Sequence, residues 1–550
     1  MDNYVEQYIL QISAEKPRDR FAFDSLKRKV AGELKGQIPT SRDLISAYQK
    51  LLKLKRIKPN PHLLTMLRKN AVRTLSGVAV VSSLTEPYPC PGRCVYCPQE
   101  ANMPKSYLKN EPAAARAFGL KFNPFDQMAY RIHTLEVNGH PTEKIEYILK
   151  GGTWNAYPLK YQYWFILESF RAANNPRGKL KYKNWKKLSI KELRTALAHE
   201  QKKNESATHR IIGLTLETRP DAVTPENIAI MRELGATRIE LGLQATRDDI
   251  LRLNRRDHTL ADFHHAMLLL RTAGFKIDLH FIPQLPGSDP AMDVEMYADI
   301  WRDPGLKPDM IKIYPCIVVK GAPLYNWYKK GKYTPYENSD LIEAIVQMKA
   351  MTPHYARIAR LIRDIPEPSI EAGNKITNLR EILQKTMRER GLTCQCLRCR
   401  EIGHALKPLI DTKKPKLFIE KYETFGGTEY FLSFEDSART AVFAFLRLRL
   451  PEQPSTKETK KIHKLLPEIA NVAFIRELHT YGQMIGIGEA GKKHSQHRGL
   501  GKKLIETAEK ICSKNGFKKL AVISGVGVRD YYRKRGFRHK GTYMVKNIKK

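Results

Sequence analysis

Three short stretches hold most of the side chains able to do chemistry. In YPCPGRCVYCPQE, Cys90, Cys94 and Cys97 stand in a C-x3-C-x2-C spacing on a Pro- and Gly-rich loop. Three thiolates without a fourth donor nearby suit three irons of a cubane cluster with one iron left open. The alternative is a three-cysteine zinc site completed by a distant histidine. The second stretch, QHRGLGKKL, matches Q/R-x-x-G-x-G/A at a helix start. Its glycines admit a close backbone approach, and the free amides of a first helical turn can point at a pyrophosphate. The third, CQCLRCREIGH, offers Cys394, Cys396 and Cys399 at a spacing that tetrahedral zinc accepts, with His404 as the nearest candidate for a fourth ligand. Cys316, Cys512, His264 and His265 read as packing or surface residues.

The elements that must carry these stretches follow from hydrophobic periodicity. From Val78 to Val319, short β-branched runs alternate with helical patterns, which signals a β/α architecture with a mainly parallel sheet. Six runs can be counted: VAVVSSL, IEYILKGGT, IIGLTLET, RIELGLQ, KIDLHFIPQ and MIKIYPCIVV. Six strands predict an incomplete barrel. Chemistry in such barrels gathers at the C-terminal strand ends, where Gly151, Gly152 and Thr153 (GGT), Glu217 (ETRPD) and Gln244 (GLQ) fall. After about Lys416 the runs GGTEYFLSFED, AVFAFLRLRL and AFIRELHTYG alternate as antiparallel strands. They precede a helix over GLGKKLIETAEKICSKNG, a strand KLAVISG and a helix VRDYYRKRGF. The expected division is a basic helical segment at 1–75, a barrel at 76–320, a linker with its own cysteine cluster at 321–415, and a second catalytic domain at 416–550.

The chain of 550 residues exceeds one compact core, and its 95 Lys+Arg against 57 Asp+Glu leave a formal charge of +38. Such a field calls for a polyanionic partner, and nucleic acid fits best. No apolar run approaches a membrane span, and MDNYVEQYIL lacks the order of a secretion signal. A cytoplasmic location with reduced thiols is therefore the expectation.

The cysteine loop resembles that of the radical S-adenosylmethionine (SAM) enzymes. The resemblance implies a 4Fe-4S cluster on Cys90, Cys94 and Cys97 whose open iron takes the amino and carboxylate groups of SAM. It also implies Tyr96 near the adenine and the GGT edge beside the cofactor's amino group. The C-terminal strand and helix order resembles the GNAT acetyltransferases, which implies coenzyme A phosphates at the QHRGLG turn. Read in order, RTLSGVAVV, ETRPD, LPG, IKIYP, NLRE, GGTEYFLSFED, RELHTYG and VISGVGVRDYYRKRGF make residues 70–550 similar to the catalytic subunit of Elongator. The similarity extends to its archaeal single-chain relatives, the tRNA carboxymethyluridine synthases or tRNA wobble-uridine acetyltransferases.

That family implies an α/β fold, a partial (β/α)6 radical SAM barrel joined to a GNAT-type α+β domain. It implies a 5′-deoxyadenosyl radical that takes hydrogen from the methyl group of acetyl-CoA, addition of the resulting carbon to C5 of the wobble uridine, and thioester hydrolysis to a carboxymethyl group. It places acetyl-CoA on Lys144, Glu477, Leu478, His479, Thr480, Leu500, Gly501, Lys502 and Tyr532, with Lys144 and Tyr532 catalytic. Zinc at the third cysteine cluster would be structural. The partner would be a tRNA anticodon stem-loop, with homodimerisation and accessory subunits left open. Gln99 in CPQE and Asp257 in NRRDH depart from the family pattern, and Gln99 questions the packing beside the cluster. Two other readings stay open: a protein lysine acetyltransferase on a scaffold barrel, and a tRNA-binding platform with both sites vestigial.

Overall fold

The computed structural model describes residues 2–15, 17–68, 77–402, 415–481 and 499–548. Strands β1 (Ala79–Leu84), β2 (Lys144–Lys150), β3 (Arg210–Thr218), β4 (Arg238–Gln244), β5 (Lys276–Phe281) and β6 (Met310–Ile313) are the six read from the sequence. They form one parallel sheet in chain order. A seventh parallel strand, β8 (Arg357–Arg360), pairs with β6 after a small antiparallel pair made by β7 (Ile317–Val319) and β9 (Ile370–Gly373). This strand lies inside the stretch expected to be a linker. RIAR escapes a hydrophobicity reading because it is a short edge strand whose two apolar residues, Ile358 and Ala359, are flanked by arginines.

Helices fill the crossovers and fix strand order. Capping boxes at Ser189/Glu192 and Thr259/Asp262 start two of them, each satisfying two amides that the helix itself leaves free. Ile239, Leu241 and Leu243 of β4 turn towards the helical layer and join the main core, so period-two alternation turns Arg238, Glu240, Gly242 and Gln244 inward. Ahead of the barrel, helices Asp2–Ala14, Arg20–Glu33, Ser41–Lys53 and Pro61–Leu67 enclose a separate core of Tyr8, Phe23, Leu44, Tyr48 and Leu51.

The third sheet is built from β10 (Lys416–Thr424), β11 (Gly427–Glu435), β12 (Val442–Pro451), β13 (Ala473–Thr480), β14 (Lys519–Val522), β15 (Arg538–Lys540) and β16 (Tyr543–Asn547), in the order β10-β11-β12-β13-β14-β16-β15. Every pair is antiparallel except β13–β14, which is parallel and covers only Ala473–Ile475 against Leu520–Val522. Beyond Ile475 the two strands part.

The sheet domain packs on the N-terminal ends of the barrel strands. A Cβ on Gly525 or Gly527 would strike the backbone of β3 at Ile212 and Ile211, and Phe474 fills the space next to Gly274. Buried charges tie the two together. Asp309, just before β6, accepts two hydrogen bonds of 2.6 Å from Arg476, while Arg447 bonds Glu477 at 2.9 Å and Lys276 meets Glu477 at 3.4 Å.

Candidate functional site

The cysteine loop lies at the opposite, C-terminal end of the same strands. Cys90, Cys94 and Cys97 line one cleft with Tyr96, Gly152, Thr153, Glu217, Gln244, Arg256 and Lys312. Cys90 Sγ stands 3.9 Å from Thr153 Oγ1, and Arg256 donates to Cys94 Sγ at 3.4 Å and to the Gly242 carbonyl at 2.8 Å. A hydrogen bond from Cys97 pulls the Cys94 thiol well below its ordinary range against the effect of burial, and Arg256 adds to this. The Arg219 guanidinium reaches the same place. Its Nη1 is buried without a partner, and any Cβ at Gly92 would collide with it.

The residues present fit a cluster and its cofactor. Among the described residues, Cys394, Cys396 and Cys399 are the one group of three such donors whose ligand atoms all lie within 4.8 Å of one another. The three loop thiols do not all lie that close: Cys94 and Cys97 are hydrogen-bonded to each other, and Cys90 stands apart beside Thr153. The GGT edge is built for close approach. Gly151 has φ +133° and Gly152 φ +100°, a Cβ on Gly151 would strike Thr85 Oγ1, and the site of a Cβ on Gly152 is open space. Glu217 accepts from Tyr107 Oη at 3.3 Å, and Gln244, at φ +74°, holds a buried Oε1 that has no partner.

Both departures noted in the sequence have a local explanation. Asp257 occupies φ +56°, the left-handed region that glycine adopts without strain, and its carboxylate takes Arg93 of the cysteine loop at 3.0 Å. Gln99 is exposed and uses its backbone amide to bond Gly321 at 3.1 Å, so it leaves the packing around the cysteines untouched.

A second candidate site lies where β13 leaves β14. Glu477, Leu478, His479 and Thr480 continue along β12 opposite Arg447, Leu446, Phe445 and Ala444. His479 stacks on Phe445 at 5.9 Å, and burial lowers its imidazole to about 4. The helix Leu500–Lys514 begins at Gly499, which takes φ +100°. A Cβ on Gly501 would lie 3.3 Å from Thr480 Cγ2 and 2.7 Å from Tyr531 Oη, so strand end, helix start and tyrosine converge. Leu500 is buried and Lys502 exposed. Tyr532 packs edge-on to Tyr531 at 5.2 Å and to Phe537 at 5.7 Å. Lys144 is exposed at the N-terminal end of β2, the end that meets the sheet domain. Gln496, His497 and Arg498 of the glycine motif and His404 lie outside the described residues.

Cys399 of the third cluster lies 4.0 Å from the buried Lys349 ammonium, and Leu397 bonds the Ala356 carbonyl beside β8. These thiols are thus fastened to the edge of the barrel sheet. Reading by sequence missed Arg219 and Arg256, although the arginines of ETRPD and NRRDH sit in stretches otherwise singled out for their strand ends.

A parallel half-barrel with three cysteines on the loop after its first strand, joined to a mixed sheet domain, is the radical SAM architecture with an appended domain. The Radical SAM superfamily profile matches residues 182–300, and the Radical_SAM C-terminal domain matches 308–389. The chain is 42% identical over 497 residues to the tRNA uridine(34) acetyltransferase of Methanocaldococcus jannaschii, covering 88% of this chain and 87% of that protein. It is 34% identical over 510 residues to Elongator complex protein 3 of Homo sapiens, with 88% and 87% covered. The structure of archaeal Methanocaldococcus infernus Elp3 with an N-terminal deletion superimposes with a TM-score of 0.71 at 38% identity, covering 86% of this chain and 99% of that one. The chain belongs to the tRNA uridine(34) acetyltransferase and Elongator complex protein 3 family.

Proposed function

We propose that this chain modifies the wobble uridine of tRNA, using acetyl-CoA and SAM radical chemistry to build a 5-carboxymethyl group. One observation carries the reading: a single chain holds both the three-cysteine cleft and the parted β13–β14 strands with a helix starting at their opening. Cys90, Cys94 and Cys97 would hold the 4Fe-4S cluster. Gly151, Gly152, Thr153, Glu217, Gln244 and Arg256 would seat SAM, with Tyr96 beside its adenine. When bound, that pair supplies one-electron access to a carbon radical, which neither side-chain acids nor bases can generate from a methyl group.

The chain's own residues divide the remaining work. Arg256 sets positive charge beside Cys94 and fixes the loop against β4 through the Gly242 carbonyl. Glu477, Leu478, His479 and Thr480, with Leu500, Gly501 and Lys502, would cradle acetyl-CoA. His479 is neutral at pH 7 because burial disfavours its cation, so it can accept or donate one hydrogen bond without adding charge. Lys144 and Tyr532 are the proposed catalytic groups at the thioester end. Tyr532 stays a phenol, since burial raises its pKa.

The basic helical segment 1–75 would bind the anticodon stem-loop, 76–320 and 416–550 would be the two catalytic domains, and 321–415, which lends the barrel its seventh strand, would join them with a structural zinc on Cys394, Cys396 and Cys399. Among the described residues no helix is long and apolar enough to cross a membrane, and a cytoplasmic location fits the reduced thiols. Anaerobic incubation of the reconstituted protein with tRNA, acetyl-CoA, SAM and a reductant tests the reading. Wild type should form carboxymethyluridine and Cys94→Ala should not. Equal product from both, or transfer of acetyl groups to lysine without reductant, refutes it.

A further inference from the structure

The floor of the cysteine cleft carries three charged side chains from alternate strands. Lys150 ends β2, Glu240 lies within β4 and Lys312 within β6, and all three line the cleft. Their bonding is incomplete in a specific way. The Lys150 ammonium makes no hydrogen bond or ion pair among the described residues; burial disfavours its charge, as do Arg360 and Lys312, while Glu240 favours it. Glu240 is 1% exposed. Its Oε2 takes Lys312 and stands 3.4 Å from His280, whereas its Oε1 is buried with no hydrogen-bond partner. Lys312 gives one donor to Glu240, with His280 Nε2 3.4 Å away and its other carboxylate neighbour, Asp278, 3.6 Å away, so at least one ammonium donor is free for a ligand.

A buried carboxylate with one unpartnered oxygen, a lysine already on its other oxygen and an unpaired lysine lining the same cleft make an incomplete polar network, which a ligand of matching pattern completes. We propose that Lys150, Glu240 and Lys312 read the imide edge of a uracil ring, the carboxylate accepting from N3–H and the two ammonium groups donating to O4 and O2. This inference rests on the wobble-uridine reading and supplies its base specificity. Uracil presents acceptor, donor, acceptor along that edge, which complements donor, acceptor, donor. Cytosine presents donor, acceptor, acceptor and would set its amino group against a lysine or its unprotonated N3 against the carboxylate.

Depth favours a second ligand over the cofactor itself. Arg256, which touches Cys94, binds the carbonyl of Gly242, so the cofactor layer lies at Gly242 and Gln244. Glu240 is two residues deeper along β4, roughly 7 Å by strand rise. Burial works to raise the Glu240 carboxyl, but Lys312, His280 and Arg238 more than offset it. Glu240 thus remains an ionised acceptor at neutral pH.

The test pairs side-chain and base substitutions in the reconstituted full-length enzyme. Transcripts of one tRNA carry uridine, N3-methyluridine or cytidine at position 34; product is read by nucleoside mass spectrometry and RNA affinity by gel shift. Wild type should form product on uridine and lose about tenfold to a hundredfold on N3-methyluridine, the range for a hydrogen bond to a charged group, with RNA affinity unchanged. Glu240→Ala should lose a similar factor on uridine and no longer distinguish N3-methyluridine. Lys150→Met, which keeps the chain length, should lose product on uridine with its cluster absorbance intact. If Glu240→Ala fails to take up the cluster, Glu240→Gln replaces it, and retention of most activity on uridine is expected because a carbonyl acceptor survives. Full discrimination by Glu240→Ala, or none by wild type, overturns the inference while leaving the wobble-uridine reading intact. Absence of product from wild type on uridine overturns the reading on which it rests.

Discussion

Replacing Asp309 by alanine should loosen the sheet domain from the barrel. Asp309 is 2% exposed, accepts two 2.6 Å hydrogen bonds from Arg476 and one of 2.9 Å from the Ile277 amide, and stands 3.6 Å from Arg447. Removing one partner from a buried ion pair costs about 3–5 kcal/mol, because the other charge stays out of water. Here Glu429 still holds Arg476 at 2.9 Å and Glu477 still holds Arg447 at 2.9 Å, which puts the loss near the lower bound. With an unfolding entropy of about 2.1 cal/mol/K per residue over the chain, a loss of about 3 kcal/mol lowers the melting temperature by roughly 3 °C. Scanning calorimetry at pH 7 reads it directly. The pH dependence has a defined sign. Burial pushes the Asp309 carboxyl up, but Arg476 and Arg447 hold it below its ordinary value. Its stabilisation is therefore complete above the unfolded pKa of about 3.9 and disappears as pH falls through the lower folded value. The deficit of Asp309→Ala should be full at pH 7 and shrink only in strong acid. A shift under 2 °C at pH 7, or a deficit that grows in acid, would refute the assignment of Asp309 as the central tie.

Two further substitutions probe the rest of the frame. Gly151→Ala forces a side chain into φ +133° and onto Thr85 Oγ1, so SAM affinity should fall at least about tenfold while cluster absorbance stays, as anaerobic calorimetric titration will show; unchanged affinity removes Gly151 from the cofactor edge. Burial raises the Asp293 carboxyl to about 6 against hydrogen bonds from Gln284 and Tyr336, so the folded state binds its proton more tightly than the unfolded one. Stability should then be highest below pH 3.8 and decline as pH rises to about 6, by up to roughly 3 kcal/mol relative to Asp293→Asn, in urea titrations across that window. Parallel curves for the two proteins would exclude it.

The cysteine loop and the strand-end residues were legible because their signals are local: spacing, glycine and a preceding β-branched run. The seventh barrel strand was not, since Arg357–Arg360 is short, pairs on one side and carries arginines that serve the interior. Arg256 and Arg219 were missed for a related reason. A lone arginine on a loop has no period, and only the fold brings these two beside Cys94 and Gly92. The charged floor did leave a trace. In RIELGLQ the polar positions Arg238, Glu240 and Gln244 alternate with Ile239, Leu241 and Leu243, and a strand flanked on both sides has only the barrel interior to offer them. Alternation in a strand expected to be apolar throughout is therefore a sequence sign of a polar barrel lumen.

On the proposed function, that lumen also bears on how two distant sites would share one reaction. Lys276 meets Glu477 of the sheet domain at one end of the barrel strands, and Gln244 lines the cysteine cleft at the other. The seven residues of β4, Arg238–Gln244, span about 20 Å between those ends. An ordinary barrel fills this depth with layers of branched aliphatic side chains. Here Glu146 pairs with Arg238 at 3.1 Å, and Asp278, Lys312, Glu240 and His280 continue the series upward. Buried ion pairs seldom stabilise a fold more than well-packed aliphatic side chains of equal volume, so packing alone does not account for the stack. A polar lumen does what an aliphatic one cannot: it offers hydrogen-bond partners along the whole depth to a ligand reaching inward from either end. An acyl chain entering from the Glu477 side and a base held by Lys150, Glu240 and Lys312 would then meet inside the barrel, beneath the cluster and away from bulk water.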